Sequence, residues 1–147
     1  MLLKLTPEDV NRMWDLLKPT IVGVLAMDDG VDYAKVSAET LNACLRGVLT
    51  VWILGDYENN KFTLKAVLTT MPFVDIPTGR RELLVYTLMM LRPVGKDEMA
   101  KAFTKLKEYA RSYGYKAITG FSDVPQVIKL VELLGGKTNV RYLTLEV

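Results

Sequence analysis

The nine residues Leu83-Leu84-Val85-Tyr86-Thr87-Leu88-Met89-Met90-Leu91 form a nearly continuous apolar run. A strand with one wet face alternates, so this run reads as a central strand, Glu82–Leu91, covered on both faces. The period then changes. Met99, Ala102, Phe103, Leu106, Ala110 and Tyr113 recur at helical spacing, and the stripe closes at Gly114. Tyr115–Phe121 returns to strand character. Strand, helix over 97–113 and strand in that order predict a parallel crossover, which requires a sheet with a helix packed on it.

The remaining segments fit around this unit. Leu2–Leu5 reads as a short strand. Thr6 offers an N-cap hydroxyl, Pro7 suits the first helical position, and Glu8 and Asp9 suit the positive helix start. Val10, Met13, Trp14 and Leu17 carry a first helix to about Lys18, where Pro19 ends or kinks it. Pro19–Met27 is a candidate second helical piece and Asp28-Asp29-Gly30 a loop. Leu41, Cys44, Leu45 and Val48 mark a further helix, with Ser37 its expected cap. Leu49–Leu54 and Phe62–Thr70 read as a hairpin around the turn residues Asp56–Asn60, and Pro72, Pro77 and Gly79 mark a longer connection. Asp123 is spaced to cap a last helix carrying Val127, Ile128, Val131 and Leu134, which Gly135-Gly136 stops. Arg141–Val147 is the expected final strand. The order is β-α-α-β-β-β-α-β-α-β. The expected class is therefore α+β, an α/β/α layered mixed sheet with helices on both faces, in one domain over residues 1–147.

Composition narrows the chemistry. The chain has no histidine and one cysteine, Cys44. That excludes Ser-His and Cys-His catalysis and an internal disulfide, and it leaves no usual zinc or haem site, so no metal is expected. Nineteen basic against 17 acidic residues give a net charge of +2, little reason to expect nucleic-acid binding. Lys4, Glu8 and Asp9 interrupt any signal-peptide core, and the longest apolar stretch, Ile21–Met27, falls far short of the ~20 residues that span a bilayer. The expected setting is cytoplasmic, with no membrane contact.

Two passages carry a family resemblance. Glu108-Tyr109-Ala110-Arg111-Ser112-Tyr113-Gly114-Tyr115-Lys116-Ala117-Ile118 resembles the "EYARxxGYKxI" passage of the GCN5-related N-acetyltransferases, where the third helix enters the fifth strand. Val124-Pro125-Gln126-Val127-Ile128-Lys129-Leu130-Val131-Glu132-Leu133-Leu134-Gly135-Gly136 is similar to their "NPxAIxLYEKLGF" helix. The element order is similar as well.

The resemblance implies a site for acetyl-coenzyme A where the fourth and fifth strands splay, with the backbone of Met89 and Leu91 meeting the pantetheine amides. A direct attack by an amine on the thioester would follow, the oxyanion held by a backbone N–H. The family's pyrophosphate segment, R/Q-x-x-G-x-G/A, falls on Val94-Gly95-Lys96-Asp97-Glu98-Met99. Gly95 and Lys96, with Arg92 nearby, suit a phosphate. Asp97 and Met99 stand at the glycine positions and Val94 at the basic one, so side chains and two carboxylates crowd a site meant for a dianion. The other reading of Asp97 and Glu98 is that they complement the helix dipole themselves. Val131 stands where the family places a tyrosine that protonates the leaving thiolate. Glu82 is the candidate base for the amine, or else a solvated ion-pair partner of Arg80 or Arg81. The expectation is an acetyltransferase-like protein with a degraded pyrophosphate loop, weak binding of acetyl-coenzyme A, and weak or absent catalysis. Its amine acceptor is unknown and would be selected by the Asp28–Ser37 and Pro72–Arg80 loops. The alternative is a catalytically silent protein of the same fold with a structural or interaction role, such as a bacteriophage virion component. An uncovered edge on the last strand would also allow oligomers.

Overall fold

The computed structural model describes residues 1–25, 30–122, 124–139, 143 and 145–147. Their elements run β1 (Leu2–Lys4), α1 (Pro7–Arg12), α2 (Trp14–Leu25), α3 (Tyr33–Leu45), β2 (Thr50–Glu58), β3 (Lys61–Val74), β4 (Arg81–Met90), α4 (Lys96–Ser112), β5 (Ala117–Gly120) and α5 (Pro125–Leu133). The five strands lie side by side in sequence order. The first three pairings are antiparallel, and β4 with β5 is parallel, joined by α4 as expected.

Alternation along the strands separates two cores. Leu2, Trp52, Leu54, Ala66, Leu68 and Leu83 face Ala102, Leu106 and Ala110 of α4. Leu5, Val51, Ile53 and Val67 face Val10, Leu17, Ile21 and Cys44 of α1, α2 and α3. Helices therefore cover both faces, and the stripe that ends at Gly114 (φ +77°) is the one that packs. The charged residues Lys101, Lys105, Lys107 and Arg111 lie on its solvated side. Burial pushes the Cys44 thiol up to about 11, which keeps it an unreactive core group.

Several local expectations change. The first helix breaks at Met13 rather than at Pro19, and α2 runs through Pro19 to Leu25. An interior proline costs about 3 kcal/mol, but α2 buries Leu17, Ile21 and Val22, each contributing roughly 1.5–3 kcal/mol. The burial wins. The cap of α3 is Asp32, whose carboxylate accepts from the Lys35 N–H, while Ser37 is buried inside the helix and donates to the Tyr33 carbonyl. The β2–β3 turn is only Asn59-Asn60, both at positive φ, as a two-residue hairpin requires; Asp56 and Tyr57 belong to β2. Pro72 lies in β3, past the point where β2 ends at Thr50↔Thr70, so one edge of β3 asks nothing of its missing N–H. No residue of α5 is buried; Val127, Ile128 and Val131 are only half-covered. Asp123, Asp28 and Asp29 lie outside the described residues, as do Arg141, Tyr142 and Thr144 of the expected Arg141–Val147 strand, and its described residues, Leu143 and Leu145 to Val147, belong to no strand.

Gly55 shows how tightly the hairpin closes. A bulge there pairs Leu54 with Ala66 but Gly55 with Leu64. A Cβ on Gly55 would sit 2.1 Å from the Thr63 carbonyl oxygen and 2.7 Å from Cζ of Phe62. Because the first of these is backbone, the strand itself must move. Gly55→Ala is expected to cost about 1–3 kcal/mol in urea unfolding; a change within ±0.3 kcal/mol would contradict that geometry.

Candidate functional site

The site begins where β4 and β5 part. They pair from Glu82↔Ala117 to Val85↔Gly120, so among the described residues the second half of β4 is bonded to β3 alone. Leu83 and Leu84 are both buried, which bears out a strand covered on both faces, but Tyr86 and Met90 past the parting are exposed. At the parting β4 carries a bulge. Thr69 pairs with Thr87 and Thr70 with Val85, leaving Tyr86 as the extra residue. The bulge shifts the pleat. Leu83 and Val85 face α4 before it and Leu88 after it, whereas Tyr86 joins the groove lined by α3. Under it the hydroxyls of Thr69 and Thr87 are 2.7 Å apart and buried.

Register also sets which main-chain groups are free. The Leu91 N–H donates to the Lys65 carbonyl at 2.7 Å. Alternation then turns the main chain of Met89 toward β3 as well, and that of Leu88 and Met90 toward the open edge. The free edge is thus one residue out of step with Met89 and Leu91.

Beyond β4 the chain crosses Arg92, Pro93 and Val94 to Gly95, the N-cap of α4, which has no side-chain cap. The N–H groups of Lys96, Asp97 and Glu98 begin the helix there, and the helical hydrogen bonds start with the next residue, Met99, which donates to the Gly95 carbonyl. Arg92, Lys96 and Asp97 are exposed, while Met99 is buried beneath the helix. Glu98 is turned aside. Both its oxygens accept from Lys65 Nζ, at 3.0 and 3.1 Å, and the same ammonium donates to Asp56 at 2.8 Å. These bonds hold Asp56 below the usual carboxylate range and raise Lys65, first through Asp56 and then Glu98. Lys65 is itself a bulge residue, skipped between Leu64 and Ala66. Sequence reasoning missed it, since one lysine in a polar hairpin carries no signal.

On the opposite face of the sheet, a groove of about 540 Å³ runs between α3 and the bulge. Tyr86, Leu25 and Val36 line it together with Asp32, Lys35 and Glu39. Asp32–Ser37, expected as part of an acceptor loop, is thus largely helix, and it still faces this groove. Glu82 lies elsewhere. It sits four residues, about 13 Å, before the bulge and accepts from Arg80 Nε at 2.8 Å. Val131 and Val124 lie on α5, Val124 as its N-cap. Among the described residues there is no cluster of acids and thiols that could hold a metal, and no helix is long and apolar enough to cross a membrane.

No protein-family profile matches the chain, and no curated protein does. Solved structures match over its whole length. A probable acetyltransferase superposes with a TM-score of 0.73 at 14% identity, covering 100% of this chain and 97% of the other. A predicted acetyltransferase with acetyl-CoA from Clostridium acetobutylicum gives 0.69 at 12% identity, covering 99% and 95%. A putative acetyl transferase from Pyrococcus furiosus gives 0.68 at 14% identity, covering 100% and 99%. At such identities the likeness establishes the fold, which is that of the GCN5-related N-acetyltransferases.

Proposed function

We propose that this chain is an acyltransferase-like protein that takes acetyl-coenzyme A weakly in the cleft between β4 and β5 and presents it to an amine. The observation that carries this reading is the parting of β4 from β5 directly at the Tyr86 bulge, which leaves main-chain groups of Leu88 and Met90 without a second strand partner among the described residues. An extended pantetheine arm can pair with such an edge as a short strand would. The uncapped start of α4 lies just beyond, where helix N–H groups suit a pyrophosphate. The groove beside Tyr86 supplies the acceptor side, and Asp32 and Glu39 outnumber Lys35 there, which suits an amine.

The reaction would form an N–C bond at the thioester carbonyl and break its C–S bond, with a backbone N–H at the bulge receiving the oxyanion. The ammonium must first lose a proton, and the thiolate gains one. Glu39 stands nearer the bulge groove than Glu82 and is the better base. Val131 cannot donate, so water must protonate the thiolate.

Weak binding follows from the loop. Asp97 stays exposed in the first turn beside the phosphate position, while the charge of Glu98 is already countered by Lys65. Acetyl-coenzyme A titrated by calorimetry is expected to show no saturation at tens of micromolar. Asp97→Gly should tighten it about fivefold, the equivalent of the ~1 kcal/mol between unit charges at 4 Å in water. Low-micromolar affinity in the unaltered protein would overturn the weak-donor reading. No binding even at millimolar ligand would favour a silent structural or interaction role, such as a virion component, instead.

A further inference from the structure

We propose that Lys65 is a positioning residue that grips both ends of the β4–α4 loop and keeps Glu98 from closing the start of α4. The proposal rests on the donor reading above for its ligand, but its geometry stands apart from it. At one end of the loop the Lys65 carbonyl accepts from the N–H of Leu91 at 2.7 Å and of Arg92 at 3.1 Å. At the other its ammonium holds both oxygens of Glu98. Five residues of chain, Pro93 to Asp97, lie between Arg92 and Glu98, so a single bulged residue sets the span of the whole turn.

The position of Glu98 explains why this matters. It is the third residue of α4, the place from which a glutamate reaches back to the N-cap N–H in a capping box. Gly95, at the N-cap, offers no competing side chain. A free Glu98 would therefore fold onto the helix start, drawn by the dipole, and put a carboxylate where an anionic ligand must sit. Lys65 prevents this by binding both oxygens, and Asp56 on its far side fixes the ammonium in place. Side chains of Lys65 and Glu98 are about four-fifths covered, at 19% and 21% exposure, so the pair is a constrained one rather than a loose surface contact.

The test compares two probes by amide NMR titration to millimolar concentration: acetyl-coenzyme A, and acetyl-pantetheine, which lacks the pyrophosphate. Lys65→Met is expected to weaken acetyl-coenzyme A at least fivefold and acetyl-pantetheine less than twofold. Lys65→Arg should remain within twofold of the unaltered protein, and adding Glu98→Ala to Lys65→Met should restore binding. In ligand-free protein, Lys65→Met should slow hydrogen exchange at the Gly95 amide, and the double variant should not. Equal weakening of both probes, failure of the arginine variant to rescue, or unchanged Gly95 exchange would each overturn the role of Lys65. If the unaltered protein binds neither probe, the donor reading fails, and the exchange experiment alone still decides whether Lys65 restrains Glu98.

Discussion

Trp52→Ala is expected to lower the unfolding free energy by about 3–5 kcal/mol, the usual range for truncating a large buried aromatic. Trp52 is 2% exposed in the core beneath α4. Three losses coincide on its removal. Its ring leaves a cavity, an edge-to-face contact with Tyr109 at 4.9 Å disappears, and the buried Thr70 hydroxyl loses the indole N–H that donates to it at 2.9 Å. Domains of this size are stable by only about 5–15 kcal/mol, so the variant should sit near the edge of folding. Trp52→Phe separates the contributions in part, because it keeps a ring in the core and loses the donor together with the volume of the second ring; about 1–3 kcal/mol is expected. Trp14, half-buried against the other core, remains as a fluorescent reporter for urea titrations of both variants. A loss below 1 kcal/mol for the alanine variant would show that the ring is not a core anchor.

Leu106→Ala should cost about 2–5 kcal/mol, toward the upper part of that range. Leu106 is the central buried residue of the α4 stripe, at 2% exposure. A small apolar void of about 20 Å³ already adjoins it, bounded also by Leu88, Met99 and Phe103. Truncation enlarges an existing space, and Ala66 of the sheet and Ala102 of α4 on its walls have no side-chain atoms long enough to fill it. Met99 is the most flexible of its neighbours, and its rearrangement would bring the cost down. Denaturant midpoints with unchanged slope measure the effect, and a loss under ~0.5 kcal/mol would remove this stripe from the core. Because Trp52 and Leu106 share one cluster, their double variant should depart from additivity.

What could be read from the sequence was whatever repeats with a period. The α4 stripe and the apolar run of β4 announce a helix on a sheet, and the parallel β4–β5 pair follows from their order. The sites where the period is broken were illegible for the same reason. Nothing in Val85-Tyr86-Thr87 marks a bulge, since each residue is an ordinary strand former, and only pairing with Thr69 and Thr70 exposes the extra one. Hence the free edge falls on Leu88 and Met90 and not on Met89 and Leu91. Pro19 does not mark a helix end, because the three side chains that α2 buries outweigh its local propensity. Ser37 looked like a cap and is a buried helical residue because Asp32, five positions earlier, competes for the same task. Resemblance located the α4 start and its departures, but the partner of Glu98 comes from another strand, thirty-three positions away.

The extra residue in β4 has a consequence for how this strand can change over generations. Substitutions within it alter one side chain at a time. Deleting Tyr86 would instead leave an unbroken ladder, with Val85 on Thr70, Thr87 on Thr69 and Leu88 still facing α4, and would take away the β4 side chain that lines the α3 groove. The register of this strand therefore survives the loss of its extra residue, and what such a gap removes is the kink at the parting and the aromatic wall of the neighbouring groove.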